Sequence, residues 1–255
     1  GVRLGWSRER LDGVFPLAAS MDTVGWFTHS IEDMQTVLDV VVPQGTDAAD
    51  GAIREPGTHG DSWRIAVILP PGIDLTPEMM TIWNDVIARM QRVGISVTEE
   101  PAPDLLGDAA VDAYNVIGSS EAWDVHKEWI EQSGDLYDPI VRGLIERGKH
   151  WSDERRRSAH TTRERVRRYA DGLFERYDGI MLPATVIPSP TVDEADGDFR
   201  AHTLRLNTLG SLAGLPALTL PVHLDAVRSG GVQLLVSSER EDALSQFLSV
   251  WQQMV

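Results

Sequence analysis

The chain has 255 residues, of which 42% are hydrophobic and 24% charged, a composition typical of a globular protein and not of a disordered one. Its formal net charge of −16 argues against a broad nucleic-acid-binding surface, and the absence of cysteine excludes disulfides, thiol nucleophiles and zinc–thiolate sites. Because of this charge, we expect no nucleic acid as a partner. No apolar run reaches the roughly 18 residues that span a bilayer, so we expect no membrane partner either. We expect a cytoplasmic location.

The first part of the chain predicts two helices and a strand–helix–strand unit. Ser30 is a suitable N-cap for the first helix, and Thr76-Pro77 opens the second because a cap followed by proline favours a helix start. In chain order we predict a helix from Ser30 to Pro43, a loop over 43–62, a strand over 64–69, a helix from Pro77 to Gly94 and a strand over 95–98. This pattern is typical of a βαβ-like unit, so a sheet flanked by helices is expected.

The middle of the chain is predicted to be helical, and the last third returns to strands. We predict helices over 107–132, 138–149 and 152–177, a strand over 179–183, a Pro-rich loop over 183–190, a helix over about 200–213, strands over 217–220 and 232–236, and a final helix from Glu239. Because no internal repeat or linker interrupts this order, we expect a single domain over 1–255.

The sequence contains no motif whose residue spacing alone indicates a catalytic or metal-binding site. The histidines are scattered without an H-E-x-x-H arrangement, so no metal site is predicted. The acidic run 193–198 does not match the ligand positions of a calcium loop, and a solvated loop is the better interpretation. The arginine-rich run 155–168 is interleaved with glutamate and is interpreted as a solvated helix face. We therefore expect no cofactor and no metal.

Four separated segments, in order, resemble the amidase-signature family. They are Leu4-Gly5 with Gly13–Leu17 and Ser20–Trp26, then Tyr177–Pro183, then Asn207 with Gly214–Pro221, and finally Gly231–Leu235. The first is similar to the region that follows the family's Gly-Gly-Ser signature. The resemblance implies an α/β fold with a mixed β-sheet core covered by helices on both faces. It also implies hydrolysis of a small carboxylic-acid amide to acid and ammonia through an acyl-serine intermediate.

The catalytic residues that the resemblance implies are absent from this sequence. The family uses a serine nucleophile, a serine in a cis peptide and a lysine base, whereas the chain has no Gly-Gly-Ser and only Lys127 and Lys149, neither in the family's Val-Lys-Asp context. Ser119-Ser120 lies in a predicted helix without a base motif and is rejected as a nucleophile. We expect a partial amidase-signature domain that is inactive alone, with either a missing N-terminal segment or a homodimer partner.

Six residues are candidates for substrate binding on the strength of the resemblance, namely Asp22, Thr23, Trp26, Tyr114, Thr185 and Ile187. A structural role is open for some of them. Asp22 and Thr23 precede Gly25, and short polar side chains there can bond neighbouring backbone and fix a turn. Trp26 has two interpretations, as an aromatic residue in the wall of a pocket or as a residue of the hydrophobic core. The Asp-Thr-Val-Gly-Trp run looks like that of members acting on arylacetamides or indoleacetamides.

Two other functions remain open. One is the amide-transferring subunit of a tRNA-dependent amidotransferase, which belongs to the same family and would have protein and tRNA partners. The other is an amidase-like chain without catalytic activity that serves as a binding or scaffold protein. A lysine in strand context and a Gly-Gly-Ser run encoded upstream would distinguish an enzyme from a scaffold.

Overall fold

The computed structural model describes residues 1–42, 62–193, 195, 197–225 and 228–254, so almost all of the predicted loop over 43–62 lies outside the described residues. The helices are α1 Ile31–Val41, α2 Pro77–Arg92, α3 Asp108–Ser133, α4 Pro139–Glu146, α5 Asp153–Phe174, α6 Gly197–Ala213 and α7 Ala243–Gln252. The strands are β1 Val2–Arg3, β2 Gly25–Trp26, β3 Arg64–Val67, β4 Ser96–Glu99, β5 Gly179–Pro183, β6 Ala217–His223 and β7 Ser229–Leu235. None of the helices in these ranges combines the length and apolarity needed to cross a membrane.

The strands form one mixed sheet in the order β2-β1-β6-β7-β5-β3-β4. β3 runs parallel to both β4 and β5, and the other neighbouring pairs are antiparallel. The pairing of Ile65 with Val97 sets the register of β3 against β4, and α2 connects these two strands. The predicted βαβ unit is therefore confirmed.

Helices cover both faces of the sheet because the buried strands carry apolar residues on both sides. In β5, Met181 packs on the face covered by α1, α2 and α7, while Ile180 and Leu182 pack on the face covered by α3, α5 and α6. Each fully buried side chain of this kind stabilises the fold by about 1.5–3 kcal/mol relative to its exposed state. The predicted architecture, a mixed sheet between two helical layers, is confirmed.

Two predicted N-caps explain where their helices begin. The Ser30 hydroxyl accepts a hydrogen bond from the Asp33 N–H at 3.0 Å, and the Thr76 hydroxyl accepts one from the Met79 N–H at 3.4 Å. Pro77 follows Thr76 at a position where no N–H is needed. Both helices therefore start at the residues that their sequence predicts.

Several boundaries differ from the sequence prediction. β1 and β2 were not predicted, because two-residue strands are too short to show an alternating pattern, and they form through pairing with β6 and with each other. β6 continues to His223, past Pro221, which lies opposite the small residue Gly231 of β7. The final segment begins with a 3₁₀ turn over Ser238–Arg240 before α7 starts.

Candidate functional site

Asp22 closes the turn of its own loop. Its carboxylate accepts the Leu17 N–H at 2.9 Å and the Ala18 N–H at 3.1 Å. The Ala18 carbonyl in turn accepts the N–H groups of Met21 and Asp22. These contacts give Asp22 the backbone-bonding role that the sequence left open, and they fold residues 17–22 into a compact loop.

A buried arginine fixes this loop to the helical layer. Arg163 of α5 donates from Nη1 to the Ser20 hydroxyl at 2.6 Å, from Nη2 to the Ser20 carbonyl at 2.5 Å and from Nε to the Leu212 carbonyl at 3.0 Å. The Ser20 N–H donates to Glu121 of α3 at 2.9 Å. Burial, together with the nearby charge of Arg167, lowers the pKa of Arg163 from its usual value. The loop is therefore anchored to α3, α5 and the end of α6 together.

An open cleft of about 200 Å³ lies where β1, β6 and β7 meet α6. Its polar and aromatic lining comes from Arg3, Phe27, Asn207, Ser211, Thr219 and Gln233. Phe27, directly after β2, is 94% exposed and stands beside this cleft. Several polar side chains line this cleft, which makes it the candidate site for a small ligand.

The guanidinium of Arg3 binds the carboxyl-terminal end of α6. Its Nη1 donates to the Gly210 carbonyl at 2.9 Å and to the Leu215 carbonyl at 2.6 Å. This placement is favourable because carbonyls at a helix C-terminus carry partial negative charge. Burial lowers the pKa of Arg3 to about 10, and nearby Tyr114 opposes that shift. Nη2 is buried and has no hydrogen-bond partner among the described residues.

Two side-chain amides in the lining donate hydrogen bonds to backbone carbonyls. Gln233 of β7 is 4% exposed, and its Nε2 donates to the carbonyls of Pro183 and Leu206, both at 3.2 Å. Asn207 of α6 donates from Nδ2 to the Thr203 carbonyl at 2.6 Å. Gln233 thereby joins β7, β5 and α6, so the cleft has a rigid base.

None of the six predicted substrate-binding residues belongs to the lining of this cleft. Trp26 is partly buried and packs on the opposite face of the sheet, against the core under α1, α2 and α7. Tyr114 packs in the core under α3, α5 and α6, close enough to Arg3 to affect its pKa. Asp22 holds its loop, as described above, and Thr23 is half-buried beside it.

Thr185 and Ile187 lie in the loop after β5. The Thr185 hydroxyl donates to the Ile187 carbonyl at 2.6 Å, which folds the loop back on itself. Ile187 packs against a small core of Ile73, Val186 and Leu206. A substrate role for these residues stays a prediction.

Sequence reasoning missed the residues that line the cleft, although two of them stood in recognised segments. Asn207 and Gln233 belong to motifs that supported the family resemblance, so those motifs could have identified them as site candidates. Arg3 and Ser211 carried no comparable signal, because only the pairing of β1 with β6 brings Arg3 beside α6.

A nucleophile–base pair is absent from the cleft as far as the described residues show. Its lining includes hydroxyls from Ser211 and Thr219 but no lysine, histidine or carboxylate. Lys127 and Lys149 are both exposed on the helical layer, and the Nζ of Lys149 lies 5.7 Å from the Trp123 ring centroid. The described lining therefore offers hydroxyl and amide groups but no side-chain base that would activate a hydroxyl for attack.

The rejected serine pair has a structural role in α3. The Ser119 hydroxyl donates to the Asn115 carbonyl at 2.6 Å and accepts the Trp151 indole N–H at 2.8 Å. Ser120 is 5% exposed within the same helix. The rejection of both serines as nucleophiles stays a prediction.

The fold defines an α/β protein with a polar cleft, the candidate site, at a sheet–helix junction. The chain belongs to the amidase family, whose family model, described as Amidase, matches residues 4–244. An amidase of Pseudomonas putida is 26% identical over 241 residues, covering 85% of this chain and 50% of that protein. A glutamyl-tRNA(Gln) amidotransferase subunit of Symbiobacterium thermophilum is 26% identical over 261 residues, covering 88% and 52%.

A solved amidase structure has the same fold. It superposes with a TM-score of 0.79 at 19% identity, covering 99% of this chain and 57% of that one. The chain thus spans about half the length of the curated relatives that it matches.

Proposed function

We propose that the protein hydrolyses small carboxylic-acid amides to acid and ammonia, and that the described residues form one wall of its substrate site. The observation that carries this proposal is the polar cleft, which is built from Asn207 and Gln233 of two family-like segments. Membership of the amidase family and the Pseudomonas putida relative support it. The same proposal places the protein in the cytoplasm and requires no cofactor.

Amide hydrolysis of this kind needs an activated hydroxyl, a base within hydrogen-bond reach and donors for the oxyanion. The described cleft lining does not provide this combination of hydroxyl, base and oxyanion donors, so we propose that the catalytic groups come from residues outside this sequence. Residues 1–255 would then be one partial amidase-signature domain, inactive alone. The match to about half the length of the relatives supports this view.

Within this proposal the described residues bind and orient the amide. Asn207, Ser211 and Thr219 present polar groups to it, while Gln233 keeps β7 and α6 in register beneath it. Asp22 keeps its loop in place, with Thr23 and Trp26 beside it. Tyr114 lies near Arg3, and Thr185 and Ile187 shape the loop beyond β5. A serine outside this sequence would be acylated first, with release of ammonia as the C–N bond breaks, and water would then hydrolyse the acyl-serine to the acid and free serine.

A second candidate is the amide-transferring subunit of a tRNA-dependent amidotransferase. Relatives named as subunits of glutamyl-tRNA(Gln) amidotransferase favour it, including the one from Symbiobacterium thermophilum. Such a protein would act with a partner and would release little free ammonia without it. Co-purification of a second subunit, with glutamine-dependent and tRNA-dependent activity, would favour this candidate over hydrolysis.

The experiment begins with the complete reading frame that encodes these residues. Its product is purified and assayed for ammonia release from phenylacetamide, indoleacetamide and short aliphatic amides, with residues 1–255 alone as the comparison. We expect ammonia from the complete product and none from the 255-residue chain. A frame that encodes neither a strand-context lysine nor a Gly-Gly-Ser run, with no ammonia released, would favour the scaffold protein instead.

A further inference from the structure

Six large apolar side chains in two segments of the chain, 14–17 and 129–141, are exposed to solvent. Together they form the apolar patch, whose members are Phe15, Leu17, Trp129, Leu136, Ile140 and Val141. Leu136 is 81% exposed, Ile140 73% and Phe15 62%. Single exposed apolar side chains are ordinary on a protein surface, whereas adjoining ones mark a site of interaction.

Aromatic contacts join the two segments into one surface. The Phe15 ring packs edge-on against the Trp129 ring, with 6.1 Å between the ring centroids, and against His126 at 5.3 Å. His126 also contacts the Tyr137 ring at 5.8 Å, and its Nδ1 lies 2.9 Å from the Tyr137 hydroxyl. Because His126 is buried between these rings, the loop of Phe15 and the turn before α4 adjoin each other over the end of α3.

The first turn of α4 presents apolar side chains to solvent although the helix is firmly held. Asp138 caps it by accepting the N–H groups of Ile140 and Val141 at 2.9 and 3.1 Å. The same helix buries Ile145 in an apolar cluster with residues of α3. A partner that covers Ile140 and Val141 would therefore not have to order this helix first, which lowers the cost of binding.

The charges beside the apolar patch are mainly acidic. Within three positions of its members stand five exposed carboxylates that take part in no salt bridge among the described residues, namely Asp12, Glu128, Glu131, Asp135 and Asp138. The basic residues within the same distance are Lys127, which is exposed, and Arg142, which pairs with Glu146. The surround of the patch is therefore net acidic.

We propose that the apolar patch binds a partner protein through a segment that combines apolar side chains with lysine or arginine. The apolar side chains of that segment cover the patch, and its basic side chains pair with the free carboxylates around it. Charge complementarity selects this occupant. A second copy of this chain brings the same acidic surround and a net charge of −16, and an anionic lipid surface also carries like charge, so both are repelled.

The test measures the binding of labelled peptides to the product of the complete reading frame by fluorescence anisotropy. The probe is a peptide of about 14 leucine and lysine residues whose leucines follow helical spacing. One comparison peptide has glutamate in place of lysine, and the other has the same composition as the probe in an order without an apolar face. We expect the probe to bind at least about ten-fold more tightly than either, a difference of about 1.4 kcal/mol.

Two pairs of apolar substitutions locate the binding surface. Trp129→Gln combined with Ile140→Gln should weaken probe binding at least about ten-fold, because two apolar side chains of the patch are lost. Val40→Gln combined with Val192→Gln changes two exposed valines elsewhere and should leave the affinity unchanged.

Two pairs of charge substitutions test the acidic surround. Glu128→Gln combined with Glu131→Gln should weaken probe binding and reduce its dependence on ionic strength between about 0.01 and about 0.15 M. Asp74→Asn combined with Glu78→Gln neutralises two exposed carboxylates at the start of α2 and should change neither. The charge variants keep the test decisive if the substitution of Trp129 and Ile140 prevents folding.

No binding of the probe, equal binding of the three peptides, or equal affinities of the patch variants and their controls would overturn the proposal. Sedimentation and vesicle binding are measured on the same proteins. A dimer or a bound anionic vesicle that is lost on substitution of Trp129 and Ile140 would assign the patch to a second copy or a membrane, and would also overturn it. Because none of these measurements needs turnover, their outcome is independent of amide hydrolysis.

Discussion

Arg163 and Ser20 are 143 positions apart in the chain, yet the guanidinium of Arg163 donates to both the hydroxyl and the carbonyl oxygen of Ser20. The third bond of the same guanidinium, to the Leu212 carbonyl, reaches the end of α6. One side chain thus connects the opening loop, α5 and the helix that lines the cleft. The loop and α6 are therefore joined through the hydrogen bonds of one side chain.

Replacing Arg163 by methionine is expected to lower the free energy of unfolding by about 3 kcal/mol. The change removes three hydrogen bonds from a charged donor and leaves the Ser20 and Leu212 carbonyls without it. Urea unfolding followed by circular dichroism measures the effect. Arg165→Met, an exposed site on the same helix, is the matched control and should change stability by less than about 0.5 kcal/mol. Equal effects of the two substitutions would contradict this role for Arg163.

Asp22→Ala is expected to destabilise the protein by about 1–2 kcal/mol, because the Leu17 and Ala18 N–H groups lose a charged acceptor. Asp22→Asn keeps one oxygen acceptor and should cost less. Thermal unfolding of the two variants beside Asp12→Ala, an exposed control, gives the comparison. If Asp22→Ala were as stable as the control, Asp22 would not hold the loop.

The hydrogen bonds of Glu100 lead us to expect that the free energy of unfolding depends on pH in the acidic range. A hydrogen bond from the Tyr177 hydroxyl and another from Arg176 hold the pKa of Glu100 below its usual value. Stability from a lowered carboxyl pKa is present above the unfolded pKa of about 4.3 and is lost as pH falls through the folded pKa. Wild-type stability should thus approach that of Glu100→Gln as pH falls from about 6 to about 3.

The measurement for Glu100 is urea unfolding at several pH values in that range. Glu99→Gln, which changes the exposed neighbouring carboxylate, serves as the matched control substitution. A constant gap between wild type and Glu100→Gln at every pH would show that the two hydrogen bonds do not perturb the Glu100 pKa.

The sequence predicts the long elements well because their signals are local. Neighbouring residues predict that Ser30 caps α1, that Thr76 caps α2 and that β5 is a buried strand. The structure confirms all three. Of the two short strands at the start, β1 pairs with β6, more than 200 residues later, and β2 pairs with β1, so no local pattern marks them. The same long-range pairing brings Arg3 to Gly210, which is why the cleft could not be predicted from spacing.

The family resemblance predicts the fold but locates the site only in part. Asn207 and Gln233 stand in recognised segments and line the cleft. Trp26 shows the opposite outcome, since residues alternate in a strand and its side chain packs on the far face while the following Phe27 lines the cleft. Which face a side chain occupies depends on register, and register depends on distant partners.

The most direct test of the central claim is to find the serine that reacts. The product of the complete reading frame is treated with phenylmethanesulfonyl fluoride, and the modified residue is identified by peptide mass spectrometry. We predict one sulfonylated serine, outside residues 1–255, with loss of ammonia release in proportion to labelling. Modification of a serine within these 255 residues, such as Ser211 or Ser119, in proportion to lost activity would contradict the account.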